Sequence, residues 1–280
     1  KLLRLKDMDN LTKQSLVEKH IISPEFASSD DENCAILIND EENICIMINE
    51  EDHLRMQLFG EGIAIEELMN LAIEIDQKLE RLVDYAFSEK YGYLTACPTN
   101  VGTGLRVSVM VHLPGLAETG NLNKILHIVN NFGMSVRGVY GEGSQSMGNM
   151  YQISNNQTLG LTEQEIVKNM KLITDKIIEQ ERVARKYLGK NQIGLADKVY
   201  RAFGILENAR ILSSNECIDL LSDVKLGTDM GIISELDDTK IKKLFLYTKP
   251  ANLQKYYGKV MDSNERDLKR TDIIRKIVTE

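Results

Sequence analysis

The stretch Ile48-Asn49-Glu50-Glu51-Asp52-His53-Leu54-Arg55 decides how this chain is read. It follows the apolar run Ile44-Cys45-Ile46-Met47-Ile48, which predicts a buried strand bounded by polar turn residues. Unpaired charges are costly to bury. Three consecutive carboxylates, a histidine and an arginine at the end of such a strand therefore face solvent, or one another across a cleft. An acidic triplet by itself reads as a solvated loop. A second stretch, Cys97-Pro98-Thr99-Asn100-Val101-Gly102-Thr103-Gly104-Leu105-Arg106, turns the reading from loop to site.

Outward from the acidic stretch, residues 34–38 and 44–48 are apolar runs separated by Asn39-Asp40-Glu41-Glu42-Asn43, which predicts a hairpin. Residues 11–20 predict a short helix leading to His20, and 23–33 read as a polar loop. Downstream, Gly60-Glu61-Gly62 breaks the chain, and Leu68, Leu71, Ile75, Leu79, Leu82 and Ala86 recur at helical spacing. Val107, Val109 and Val111 alternate as in a strand ending at Pro114. Ile125, Ile128, Val129 and Phe132 mark a helix stopped by Gly133. Residues 134–139 and 149–153 flank a glycine-rich hairpin tip over 140–148. Thr162 and Glu165 form a capping box for a helix through about 187, and from Gly189 onward only helices are predicted. The fold expected is α+β, an antiparallel sheet flanked by helices over 1–188, followed by an all-α domain over 189–280.

The bulk numbers narrow the classes. With 34 basic and 42 acidic side chains, the net charge of −8 argues against a nucleic-acid binder. Four cysteines without a CxxC pair or metal-ligand spacing suit a reducing, cytoplasmic compartment. No apolar run approaches the roughly 20 residues of a membrane span. No protein metal site is legible. The chain opens on Lys1 rather than Met, as a fragment or processed product would.

Together the acidic and cysteine stretches resemble the signature of the ATP:guanidino phosphotransferases, over residues 10–185. The resemblance implies phosphoryl transfer from ATP, which brings its own Mg2+. Transfer requires alignment and neutralisation of phosphate charge, and arginine forks bind phosphate oxygens bidentately. Arg55, Arg106 and Arg137 stand at the family's positions for that clamp. A guanidinium acceptor is donor-only and must lose a proton. Glu51 matches the family's catalytic glutamate, Glu142 a second substrate-facing carboxylate, and Cys97 its reactive cysteine. His20 resembles the histidine near the adenine ring. The nucleotide is expected along Val107, Ser108, Val109 and Met110 and along Gly138, Val139, Tyr140, Gly141 and Glu142. Met110 replaces the base-contacting histidine usual in members acting on small substrates.

The helical tail resembles the C-terminal domain of bacterial members that phosphorylate arginine side chains of proteins, and implies a homodimer. Arg266-Asp267-Leu268-Lys269-Arg270-Thr271 resembles their Arg-Asp-x-x-Arg-Ala motif, a pocket for phosphorylated arginine, with Thr271 in place of alanine. Arg266 and Arg270, four apart on one helix face, are expected to grip one phosphate beside Asp267. The resemblance further implies products marked for a Clp-type protease, with a zinc-finger activator protein, a heat-shock repressor and a Clp ATPase as partners. The family's upstream Ser-Ser-Arg-x-Arg stretch has no counterpart before His20. The alternatives are a kinase of a small guanidino compound and a catalytically impaired phosphoarginine-binding adaptor.

Overall fold

Alternation of side chains builds the first sheet. In the computed structural model, which describes residues 1–138 and 146–279, four strands pair antiparallel in chain order: β1 (Leu2–Arg4), β2 (Ala35–Ile38), β3 (Ile44–Ile48) and β4 (Leu54–Leu58). Ile36 stands opposite Met47, and Met47 opposite Arg55. One face buries Ile36, Ile38, Cys45 and Met47 in a core shared with Leu5, Leu16, Ile21 and Phe26. The hairpin of 34–48 is as the sequence predicts. β1 was not expected, and β4 begins inside the acidic motif itself.

Helix α1 (Asn10–Glu18) starts where Thr12 N–H donates to Asp9 Oδ1 at 2.7 Å. The stretch read as a polar loop holds a short helix, α2 (Pro24–Ala27). Ser23 Oγ caps it by accepting from Phe26 N–H, Pro24 suits the first helical position, and burial of Phe26 draws the turn inward. Helix α3 (Ile65–Glu80) is shorter than its apolar periodicity: Leu82, 79% exposed, and Ala86 lie beyond its end.

A two-stranded ribbon, β5 (Phe87–Ser88) and β6 (Gly92–Tyr93), precedes the cysteine stretch. Then come β7 (Ser108–His112), α4 (Pro114–Glu118), α5 (Leu122–Asn131), β8 (Met134–Gly138) and β9 (Met150–Asn155), the strands forming a second sheet in the order β7-β9-β8. The glycine-rich tip expected over 140–148 falls largely outside the described residues. Helix α6 (Glu163–Leu188) carries the expected reciprocal cap: Thr162 N–H donates to Glu165 Oε2 at 2.8 Å and Glu165 N–H to Thr162 Oγ1 at 3.2 Å.

Five helices follow: α7 (Gln192–Asn208), α8 (Ser214–Asp229), α9 (Asp238–Tyr247), α10 (Pro250–Tyr257) and α11 (Ser263–Thr279). Their apolar stripes meet in a core that includes Leu206, Leu221, Val224, Leu244, Leu253 and Ile273. The architecture is α+β with a helical C-terminal region.

By packing, the chain divides into two compact units, residues 1–109, 127–136 and 153–176, and residues 110–126, 137–152 and 177–280. Within the second, Glu181 is 5% exposed and accepts from Gly115 N–H, Leu116 N–H and Arg185 Nε–H, so a buried carboxylate seats the start of α4. Nearby, His112 Nε2 and Ser222 Oγ lie 2.9 Å apart, and Asn149 Nδ2 donates to the same hydroxyl. No helix among the described residues is long and apolar enough to cross a membrane.

Candidate active site

Three carboxylates in sequence take three different roles. Glu50 is drawn inward, its side chain 8% exposed, and both its oxygens accept from Arg55 Nη1 at 3.0 and 3.1 Å. It also accepts from Ser23 Oγ–H at 2.7 Å and from Glu51 N–H at 3.0 Å. Burial pushes its pKa up, but the Glu51 N–H, the Ser23 hydroxyl and Arg55 outweigh burial and hold it below the usual carboxylate range. Asp52 turns the other way and accepts from Ala96 N–H at 2.6 Å. Glu51, between them, is exposed. The turn is thus held from both sides of Glu51 by its neighbours, and Asn49, in the left-handed region at φ 57°, starts it.

The Asp52–Ala96 hydrogen bond brings the second motif to the first. Ala96 directly precedes Cys97, whose half-buried Sγ lies 3.0 Å from Thr99 Oγ1 and whose carbonyl accepts from Thr95 Oγ1 at 2.7 Å. The glycine of this loop is required by close approach. Gly102 has φ +113°, and a Cβ there would fall 2.3 Å from the Thr158 carbonyl oxygen. Thr158 is 5% exposed and anchors the loop, with Oγ1 at 2.9 Å from Thr99 O and 2.8 Å from Val101 O, while its own carbonyl accepts from Thr103 N–H.

The first unit holds His20, Glu51, Arg55, Cys97, Arg106, Val107, Ser108 and Val109. His20 follows α1 in the left-handed region, at φ 62°. Arg55 sits on β4, occupied by Glu50, and Arg106 is exposed just before β7. On β7, Ser108 and Met110 are exposed and Val109 half-buried. The second unit holds Met110, Arg137, Gly138, Arg266, Asp267 and Arg270. Arg137 is exposed on β8. Val139, Tyr140, Gly141 and Glu142 lie outside the described residues.

The arginine pair of α11 is not disposed as two solvent-facing forks. Arg270 is 1% exposed and points into the helical unit, donating to Thr248 O at 2.8 Å, Leu212 O at 2.6 Å and Asp267 Oδ1 at 2.6 Å. Helical spacing places Arg266 and Arg270 on one side, but backbone carbonyls from two other segments draw Arg270 inward. Arg266 is half-buried and donates to Met261 O. Asp267, also half-buried, is held by Arg270. Thr271 is buried, its hydroxyl donating to Leu268 O at 2.8 Å, so the extra polar atom is satisfied within its own helix.

Sequence reading missed Glu50, Asn155 and Thr158 as supports of the site. The signal available was the polar run Ser154-Asn155-Asn156-Gln157-Thr158 directly after a strand, where a solvated turn is the ordinary expectation. Among the described residues, no group of three or more His, Cys, Asp or Glu side chains could hold a metal ion.

Within the first unit, the acidic turn is thus tied to the cysteine loop by the Asp52–Ala96 hydrogen bond. The model of the ATP:guanido phosphotransferase C-terminal catalytic domain matches residues 1–184, and that of the protein-arginine kinase McsB C-terminal domain matches 192–280. A protein-arginine kinase of Halothermothrix orenii is 51% identical over 98% of this chain and 78% of its own length. Those of Bacillus pumilus and Bacillus subtilis are 49% and 46% identical, each over 98% of this chain and 76% of their length. Among solved structures, the duplicated taurocyamine kinase from Schistosoma mansoni with bound transition state analog components superposes with a TM-score of 0.58 at 25% identity, covering 87% of this chain and 33% of that one. Lombricine kinase gives 0.53 at 29% identity, covering 65% and 53%. The chain belongs to the ATP:guanido phosphotransferase family, in its protein-arginine kinase branch.

Proposed function

We propose that this protein transfers the γ-phosphoryl group of ATP to arginine side chains of proteins. The observation that carries this reading is the Asp52–Ala96 hydrogen bond, which sets the Glu51 turn beside the Cys97 loop. In the reaction, a guanidino nitrogen of the substrate attacks the γ-phosphorus as the bond to ADP breaks, and the proton lost from that nitrogen passes to Glu51. Arg55, Arg106 and Arg137 neutralise phosphate charge, and Arg55 exchanges Glu50 for nucleotide as it does so. Cys97 and Glu142 contact the guanidinium. His20 and residues 107–110 and 138–142 seat the nucleotide, and Mg2+ arrives with ATP.

Residues 1–188 form the catalytic domain in this reading, and residues 189–280 a helical domain that dimerises and binds phosphoarginine. Arg266 and Asp267 present that second site, and Arg270 positions Asp267 from beneath. The protein acts in the cytoplasm, where its products are marked for Clp-type proteolysis. Its partners are a zinc-finger activator, a heat-shock repressor and a Clp ATPase. The test is incubation with ATP and either an unfolded arginine-rich protein or free arginine, with phosphoarginine read by mass spectrometry. Transfer to the protein with none to the free amino acid is expected. Transfer to free arginine at a comparable rate would make this a kinase of small guanidino compounds.

A further inference from the structure

Arg106 lies in residues 104–107, which belong to neither the preceding turn nor strand β7. A phosphate clamp tolerates little misplacement, so something outside the regular ladders must fix its backbone. We propose that Asn155 is the positioning residue for Arg106, an inference that rests on the reading of Arg106 as a nucleotide-phosphate ligand.

Asn155 ends β9 and is 3% exposed. Its side-chain oxygen accepts from Val107 N–H at 2.7 Å, and its Nδ2 donates to Leu105 O at 3.1 Å. One amide therefore grips the chain immediately before and immediately after Arg106, as a neighbouring peptide group would. The second Nδ2 hydrogen goes to Gln157 O at 3.1 Å, and Asn155 N–H donates to Val107 O at 3.3 Å. The amide's acceptor and both of its donors are thus engaged. The chemistry is specific to asparagine: aspartate has no donor for Leu105 O, leucine has neither group, and glutamine is a methylene too long for the same span.

The grip fixes the Cα–Cβ direction of Arg106, whose side chain is exposed. Because Thr158, three residues on, anchors the Cys97 loop, the segment 155–158 sets the cysteine and the arginine of the motif relative to each other.

The test is a double-mutant cycle on ATP binding, with Asn155→Ala, Arg106→Ala and both together, each measured per folded molecule with the folded fraction read by circular dichroism. Asn155→Ser serves as a second, smaller perturbation. Asn155→Ala is expected to raise the Kd and KM for ATP by about tenfold, a displacement effect, and to leave the KM for protein substrate unchanged. In the Arg106→Ala background it is expected to change ATP binding by less than about twofold, the mark of two residues acting as one unit. If Arg106→Ala weakens ATP binding and Asn155→Ala leaves it unchanged, or adds its full effect in the double variant, Asn155 has no positioning role. If Arg106→Ala itself leaves ATP binding unchanged, the phosphate-ligand reading fails and the inference fails with it.

Discussion

Asp52 and Ala96 are 44 residues apart in the chain, and the carboxylate of one accepts the backbone N–H of the other at 2.6 Å. Glu51 and Cys97 each sit one residue outward from that bond, so it ties together the two groups that the proposed reaction puts against the guanidinium. Replacing Asp52 by alanine removes the acceptor at an exposed site and should cost only about 0.5–1.5 kcal/mol of stability. Its effect on turnover should be larger, a loss of at least about tenfold, because reacting groups are displaced. Asp52→Asn keeps a side-chain oxygen and should retain most activity. Measured kcat and urea midpoints for both variants check this, and an Asp52→Ala protein with parental turnover would remove the bond from the mechanism.

Cys97 should react first with iodoacetamide. It is half-buried at the loop surface, whereas Cys34, Cys45 and Cys217 are buried. Burial pushes the Cys45 thiol up to about 11 and the Cys217 thiol up to about 12, so at pH 8 each holds little thiolate, the reactive form. Peptide mapping should show Cys97 labelled more than about tenfold faster than the others, with ATP and an arginine-bearing protein together slowing it. Equal labelling of all four in the native protein would return Cys97 to a structural role.

Much of the scaffold was legible in the sequence, because its signals are local. The 34–48 hairpin and the Thr162–Glu165 box both follow from neighbours in the chain. The supports of the site were not legible, because their partners come from far away. Glu50 is buried because Ser23, 27 residues off, and Arg55 satisfy it. Asn155 looks like a turn residue until Leu105 and Val107 lie across it. Arg270 looks like a surface charge until carbonyls from Thr248 and Leu212 converge on it.

That inward turn of Arg270 makes a stability prediction. Arg270→Ala leaves the buried carbonyl acceptors of Thr248 and Leu212 without their donor and should cost about 1–3 kcal/mol, the scale for leaving a buried polar group unsatisfied. Thr271→Ala, which restores the residue found in the Arg-Asp-x-x-Arg-Ala motif, should stay within about 1 kcal/mol. Urea titration of the two variants decides it. An Arg270→Ala protein less than about 1 kcal/mol below its parent would mean that the arginine is not a structural staple.

His112 should make stability depend on acid. Burial, then the cations Arg185 and Lys225, lower its pKa from 6.5 to about 3, with Asp229 opposing them. Below pH 6.5 the unfolded chain takes a proton that the folded one refuses, so the stabilisation is full above 6.5 and is lost as pH falls toward 3. His112→Gln removes the titration and should flatten the stability curve in that window by up to about 1.4 kcal/mol per pH unit. Parallel curves for variant and parent would show that His112 titrates normally.

The most direct test of Glu51 as the base is Glu51→Gln, assayed for phosphoarginine on an unfolded protein substrate by mass spectrometry. The side chain is exposed, and its backbone N–H donates to Glu50 Oε2 at 3.0 Å, a bond the substitution keeps, so the fold should be unchanged. An amide cannot accept the guanidinium proton, and transfer should fall by at least about a hundredfold, the scale for loss of a positioned base. A loss of less than about threefold in a folded protein would contradict the assignment, since a base contributing so little is not in the reaction.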